Sequence, residues 1–200
     1  MEGNIERLIK KIKQLDNELR RELHKKQDEF FYHIDQKKVR FEKEVRKQHK
    51  NLVKGLSRYF LEASLLNILT VPVIWGCLFP ALLLDLCVTL FQAICFPVYK
   101  IPKVRRSKYI VIDRHALSYL NLIEKINCFY CGYFNGLLGY VQEVAARTEQ
   151  YWCPIKHARP VGLIHSRYKF FFDYGDAEGF RQRIAEVRRD FADLEKKLDD

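Results

Sequence analysis

The sequence predicts a mainly α-helical membrane protein: a membrane helical hairpin, N- and C-terminal coiled-coil-type helices, and a small Cys/His-containing cytosolic unit. Three observations predict it. From Ala63 to Tyr99 the only charged residue is Asp85. Apolar residues recur at alternating spacings of three and four near both ends of the chain. Between these regions lie two compact Cys/His groups, Cys128 with Cys131 and Cys153 with His157.

Residues 1–57 read as a charged amphipathic helix. Ile5, Leu8, Ile12, Leu15 and Leu19 form a coiled-coil seam, which shifts at Leu23 and runs on less regularly to Leu52. This region carries 16 Lys/Arg against 10 Asp/Glu. Such a helix cannot bury its own stripe, so a partner helix is expected.

Residues 58–100 read as a hydrophobic membrane hairpin. Charge is expensive in hydrocarbon, and the run is long enough for two spans of about 17–20 residues. Gly76 and Pro80 mark a place to turn. Basic residues flank both sides, Lys47, Lys50, Lys54 and Arg58 before and Lys100, Lys103, Arg105, Arg106 and Lys108 after. Lys and Arg resist translocation, so both ends are expected on one side, and a hairpin satisfies that. The rival is a single helix from about Ala63 to Leu84 followed by an interfacial segment; a shallow re-entrant insertion is a further variant. Asp85, an acid within the apolar run, calls for a partner or access to water.

Residues 101–175 form the Cys/His-containing unit. Tyr109–Asp113 has strand character, Ala116–Ile126 and Tyr133–Gln150 are helical in period, and Cys128/Cys131 is read as the turn between them. Val161–Tyr174 is apolar and aromatic. Tyr168, Phe170, Phe171, Phe172 and Tyr174 fit either a membrane-interface patch or a buried strand. Residues 176–200 are a C-terminal heptad helix capped by Asp176, with Phe180, Ile184, Val187, Phe191, Leu194 and Leu198 as its seam. That seam would pair with the N-terminal one or with a second copy.

The net charge of +10 points to an anionic partner. The densest basic clusters abut the apolar run, so the expected partner is membrane lipid, joined by a helical protein partner or a second copy through the heptad seams. Nucleic acid is disfavoured, because no finger or helix-turn-helix spacing occurs. The charged first twenty residues do not resemble a secretory signal, so the apolar run is expected to stay in the mature protein. The expected location is integral to the membrane, the inner (cytoplasmic) one if the source is bacterial, with both termini cytosolic.

Cys128, Cys131, Cys153 and His157 have the donor types and spacing of a zinc or iron site, with His165 as a possible additional ligand. C-x2-C and C-x3-H have 21 residues between them. Geometry resists this set: an unbroken helix over Tyr133–Gln150 spans about 27 Å and holds Cys131 far from Cys153. A site between protomers, a smaller set of Cys128, Cys131 and His165, or one of Cys153 and His157 with Asp113 and His115 are the remaining arrangements. Buried free cysteines and solvated histidines explain the same residues without metal. A Cys128/Cys131 redox pair ranks lower, because its usual βαβ setting is missing. Glu124, Glu143 and Glu149 make no Glu-x-x-His pair, and Glu143 has Arg147 as an ordinary helical ion-pair partner. P-loop, dinucleotide and G-x-S-x-G signatures do not occur. The expected function is a membrane-anchored protein with a metal-binding module and interaction helices. A metal-free membrane scaffold, or a thiol-redox or metalloenzyme at the membrane surface, are its alternatives.

Overall fold

The computed structural model describes residues 2–35, 38–55, 61 and 64–195. It is mainly helical, with 68% of the described residues in helices. Arg58, Ala63 and Leu198 lie outside the described residues. The chain forms two compact units, residues 1–62 with 113–128, and residues 63–112 with 129–200.

The first unit opens with α1 (Glu2–Glu29). Ile12, Leu15, Leu19 and Leu23 lie exposed along it, so this part of the predicted stripe is uncovered among the described residues. Ion pairs on its surface, Asp16 with Arg20 and Glu22 with Lys25, are exposed and solvent-screened, so they add little to stability. The long helix predicted over residues 1–57 is interrupted. Phe31 takes a left-handed backbone, φ 52°, and leads into an antiparallel hairpin, β1 (Tyr32–Asp35) and β2 (Lys38–Phe41). Tyr32 stands opposite Phe41 and Ile34 opposite Val39. These β-branched and aromatic residues suit a pleated surface better than a helix. α2 (Lys43–Asn51) follows. Its end meets residues 117–121: the Ser118 hydroxyl donates to the Arg46 carbonyl at 3.4 Å and the Asn121 amide to the Lys54 carbonyl at 3.3 Å. The His49 and Tyr119 rings meet edge to face, centroids 5.3 Å apart.

In the second unit α3 (Leu65–Gly76) and α4 (Leu78–Tyr99) run on from one another. Cys77 between them keeps helical dihedrals (φ −65°, ψ −15°). Its N–H donates to the Ile74 carbonyl at 3.2 Å, and its carbonyl accepts from Ala81 at 3.3 Å. Leu65–Tyr99 is therefore one apolar helical path of 35 residues, the one helix among the described residues long and apolar enough to cross a membrane. The reversal expected near Gly76–Pro80 does not occur. Gly76 has no positive φ, and Pro80 deprives one upstream carbonyl of its partner, which bends a helix without turning it back.

α4 ends in a Schellman motif. Lys100 adopts φ 57°, its N–H donates to Pro97, and the Ile101 N–H donates to Phe96 at 2.9 Å. Ile101 and Phe96 bury their side chains together, the hydrophobic contact this motif favours. A lysine there carries the left-handed penalty that glycine avoids. Lys100→Gly is expected to raise stability by about 0.5–1 kcal/mol, read as a higher melting temperature in detergent; a lower one would remove the motif's role.

The chain then returns beside α4 and enters α5 (Leu122–Trp152). α4 and α5 point the same way, because their side-chain partners advance together: Asp85 with Tyr133, Gln92 with Tyr140, Tyr99 with Tyr151. On α4 the covered positions Ala81, Asp85, Val88, Gln92, Phe96 and Tyr99 step by four and three. On α5, Tyr133, Leu137, Tyr140, Val144, Arg147 and Tyr151 do the same, the 3.5-residue spacing of helices that share a seam. A second face of α5 carries Gly132, Gly136 and Gly139, against which the return segment passes. A Cβ on Gly136 would lie 2.6 Å from the Tyr109 carbonyl oxygen and 2.8 Å from Ile110 Cα.

Three predicted elements differ from those observed. Cys128 and Cys131 lie inside α5, not in a turn between two helices. Tyr109–Asp113 is not a strand, because its backbone is laid on α5 and pairs with no neighbouring strand among the described residues. The C-terminal seam is split into α6 (Ala177–Val187) and α7 (Ala192–Glu195). Asp176 caps α6 as expected, accepting the Gly179 N–H at 2.9 Å. The split has a visible cause. Gln150, fully buried, donates to the carbonyls of Val187 and Asp190 at 2.9 and 2.7 Å. The Arg167 guanidinium takes the Asp190 carbonyl at 2.8 Å. Carbonyls engaged from outside are those of a helix end, so the helix stops there. Phe191 then turns into the core and Leu194 packs beside it, which uses part of the predicted seam inside this unit.

Candidate functional site

The polar chemistry of the second unit is gathered along the C-terminal half of α5 and the segments laid over it. Glu143 and Arg147, one helical turn apart and both buried, pair at 2.9 Å. The Ser166 hydroxyl donates to the other Glu143 oxygen at 2.6 Å, and Arg147 donates to the Pro102 carbonyl at 2.8 Å. Both Glu143 oxygens and the Nε and Nη1 groups of Arg147 have partners, as burial of two charges demands. One turn on, the 1%-exposed Arg167 donates to both Asp193 oxygens at 2.8 Å and to Gln150, while its plane stacks on Phe170 at 4.3 Å.

Asp85 has the partner that an acid in an apolar run calls for. It pairs with Arg106 on the return segment and accepts from the Tyr133 hydroxyl at 2.8 Å and the Thr89 hydroxyl at 3.3 Å. Hydrogen bonding to Asp85 holds the Arg106 guanidinium above its ordinary pKa.

The sequence-predicted ligands lie apart. Cys128, half-buried, and Cys131, exposed, sit about two turns inside α5, away from its N-terminus. Cys153 is exposed just beyond the other end. The intervening helix is unbroken at Gly136 and Gly139, so Cys131 and Cys153 are separated by roughly 30 Å at 1.5 Å per residue. His157 is exposed; its N–H donates to the Tyr168 hydroxyl at 3.0 Å, and its ring stacks on that tyrosine. His165 spends both nitrogens locally. Nδ1 accepts the Arg167 N–H at 3.2 Å, which places the ring proton on Nε2, facing Glu149 Oε2 at 3.1 Å. Among the described residues no group of three or more His, Cys, Asp and Glu side chains is placed to hold a metal ion. Of the aromatic run, Phe171 and Phe172 are buried and Tyr174 is exposed.

Sequence reasoning gave no role to Arg167 and Gln150 and counted Arg106 only as flanking charge, yet these three organise this unit. Nothing in their spacing marks them, because each acts on a partner distant in the chain. The four-three stepping from Tyr133 to Tyr151 did carry a signal for one continuous α5. So did the glycines at 132, 136 and 139, whose helical spacing lines one face for close backbone approach.

A cavity of about 260 Å³ opens beside the Glu143–Arg147 pair, walled by the return segment after α4. Lys103, Arg105 and Lys108 line it, and all three are exposed. Comparison with family models, curated proteins and solved structures finds no match for this chain.

Proposed function

We propose that the protein is a membrane-anchored interaction scaffold that inserts Leu65–Tyr99 into one face of a bilayer without crossing it. The observation that carries this reading is the contact of residues 46–54 with residues 118–121. Such a contact supports placing the chain before the apolar helix and the chain after it on the same side of a bilayer. Between them, residues 100–114 carry Lys100, Lys103, Arg105, Arg106, Lys108 and Arg114, and such a segment does not pass through hydrocarbon. Basic flanks at both ends agree. A straight helix of 35 residues would also be about 52 Å long against roughly 30 Å of hydrocarbon. From Asp85 onward α4 is one-sided, covered by α5 and the return segment while Leu86, Leu90, Ile94 and Val98 are exposed, as an interfacial helix requires.

The scaffold part of the reading rests on α1. Its exposed Ile12–Leu23 stripe needs a second helix, from a partner protein or another copy. Both termini are cytosolic in this reading, so the cysteines face a reducing medium. A metal centre would require cysteines from more than one copy.

Reporter fusions at the two termini test the topology. Both are expected to report the cytosolic side, and opposite sides would end the one-face insertion. Metal analysis of protein purified under reducing conditions separates scaffold from metal unit. No stoichiometric zinc or iron is expected; a stoichiometric metal lost in Cys128→Ser/Cys131→Ser would replace the scaffold by a metal-binding protein.

A further inference from the structure

The cavity beside Glu143 and Arg147 has a charge pattern that the fold does not use. Four cations line it, Lys103, Arg105, Lys108 and Arg147, against one carboxylate, Glu143. Arg147 and Glu143 are committed to one another and to Pro102 and Ser166, so the carboxylate does not neutralise the other three. Lys103, Arg105 and Lys108 form no ion pair among the described residues, whereas Arg106, between them in sequence, is turned to Asp85. Burial pushes the Tyr109 hydroxyl up from its ordinary pKa, with Glu143 beside it adding to the effect. That hydroxyl is engaged with Glu143, which leaves the cations as the free donors of this wall. Unpaired ammonium and guanidinium groups converging on one concavity recognise a phosphate.

Position narrows the source. The cavity begins three residues after the apolar helix ends, and Tyr99 at that end packs with Tyr151 and Trp152, centroids 5.0 and 5.2 Å away. Tyrosine and tryptophan collect at headgroup depth, and basic residues just beyond an apolar helix meet lipid phosphates. We infer that Lys103, Arg105 and Lys108 bind the phosphate of an anionic lipid headgroup in this cavity. The inference rests on the membrane reading above.

The test uses the full chain in neutral detergent and two probes, short-chain phosphatidylglycerol and inorganic phosphate, each titrated by calorimetry. The lipid is expected to bind saturably at one site. Lys103→Gln/Arg105→Gln/Lys108→Gln should weaken it on the order of a hundredfold, since each cation near a headgroup contributes about 1 kcal/mol. Removing the same charge from α1, with Lys10→Gln/Lys11→Gln/Lys25→Gln, should leave it unchanged. Equal loss in both variants would reduce the effect to net charge and overturn the inference. So would inorganic phosphate binding as tightly as the lipid, or no saturable binding at all. Co-sedimentation with purely zwitterionic vesicles reads the anchor separately. The cavity variant should still sediment there, and failure of the native chain to do so would defeat the membrane reading itself.

Discussion

Gly136→Ala is expected to destabilise the second unit by about 2 kcal/mol, although alanine is the better helix former by about 1 kcal/mol. The added methyl would meet the Tyr109 carbonyl oxygen at 2.6 Å and Ile110 Cα at 2.8 Å. Both are backbone atoms, so relief means lifting the return segment off α5, and overpacking of this kind costs about 1–3 kcal/mol beyond the propensity gain. The neighbouring glycines calibrate the effect. At Gly132 the nearest atom to such a methyl is the Val111 carbonyl oxygen at 3.4 Å, an ordinary contact, so Gly132→Ala should gain up to about 1 kcal/mol. At Gly139 the neighbour is the Tyr109 ring at 3.3 Å, a side chain able to shift, and the change should be near zero. For a chain of this size the Gly136 variant should melt about 4–8 °C lower in detergent. If it melts with the Gly132 variant, the close passage of the return segment is wrong.

Arg167→Met is expected to cost about 3 kcal/mol, because removing one member of a buried charged network leaves the others unpaired. The Gln150 side-chain oxygen and Asp193 lose this donor together, and the Asp190 carbonyl keeps only that of Gln150. The loss falls where the C-terminal helix is split, so amide exchange over residues 177–195 should accelerate beyond that of α5. Arg167→Lys keeps the charge but not the planar fork that reaches three partners, and should recover less than half. Asp193→Asn should cost far less, its carboxylate being 39% exposed. The expected fall in melting temperature is about 6–12 °C for Arg167→Met. A fall no larger than that of Arg181→Met, on the exposed face of α6, would show that the network holds nothing.

Several of these features were legible in the sequence. The apolar run, its basic flanks, the α1 stripe and the Asp176 cap are local patterns, and local patterns survive folding because the chain's own neighbours create them. The need of Asp85 for a partner was legible, but the identity of Arg106 was not, since that pairing joins residues 21 apart. Pro80 was read as a reversal because proline breaks helices as often as it bends them, and only the dihedrals of Cys77 decide between the two. Heptad spacing at the C-terminus was real, yet spacing cannot reveal that Gln150 and Arg167 claim the carbonyls of Val187 and Asp190. The Cys/His groups were read as one candidate site against the objection that an unbroken helix would hold them apart, and α5 is that helix. The cavity lysines were counted as membrane-flanking charge; their enclosure becomes visible once the chain is seen to double back.

The hydrogen bonds that lock α4 to α5 join residues 48 positions apart. During synthesis the greasy helix therefore emerges well before the residues that will cover its inner face, and it must wait for them. In the proposed membrane reading a lipid surface shelters it for that interval, so docking to the bilayer precedes completion of the fold.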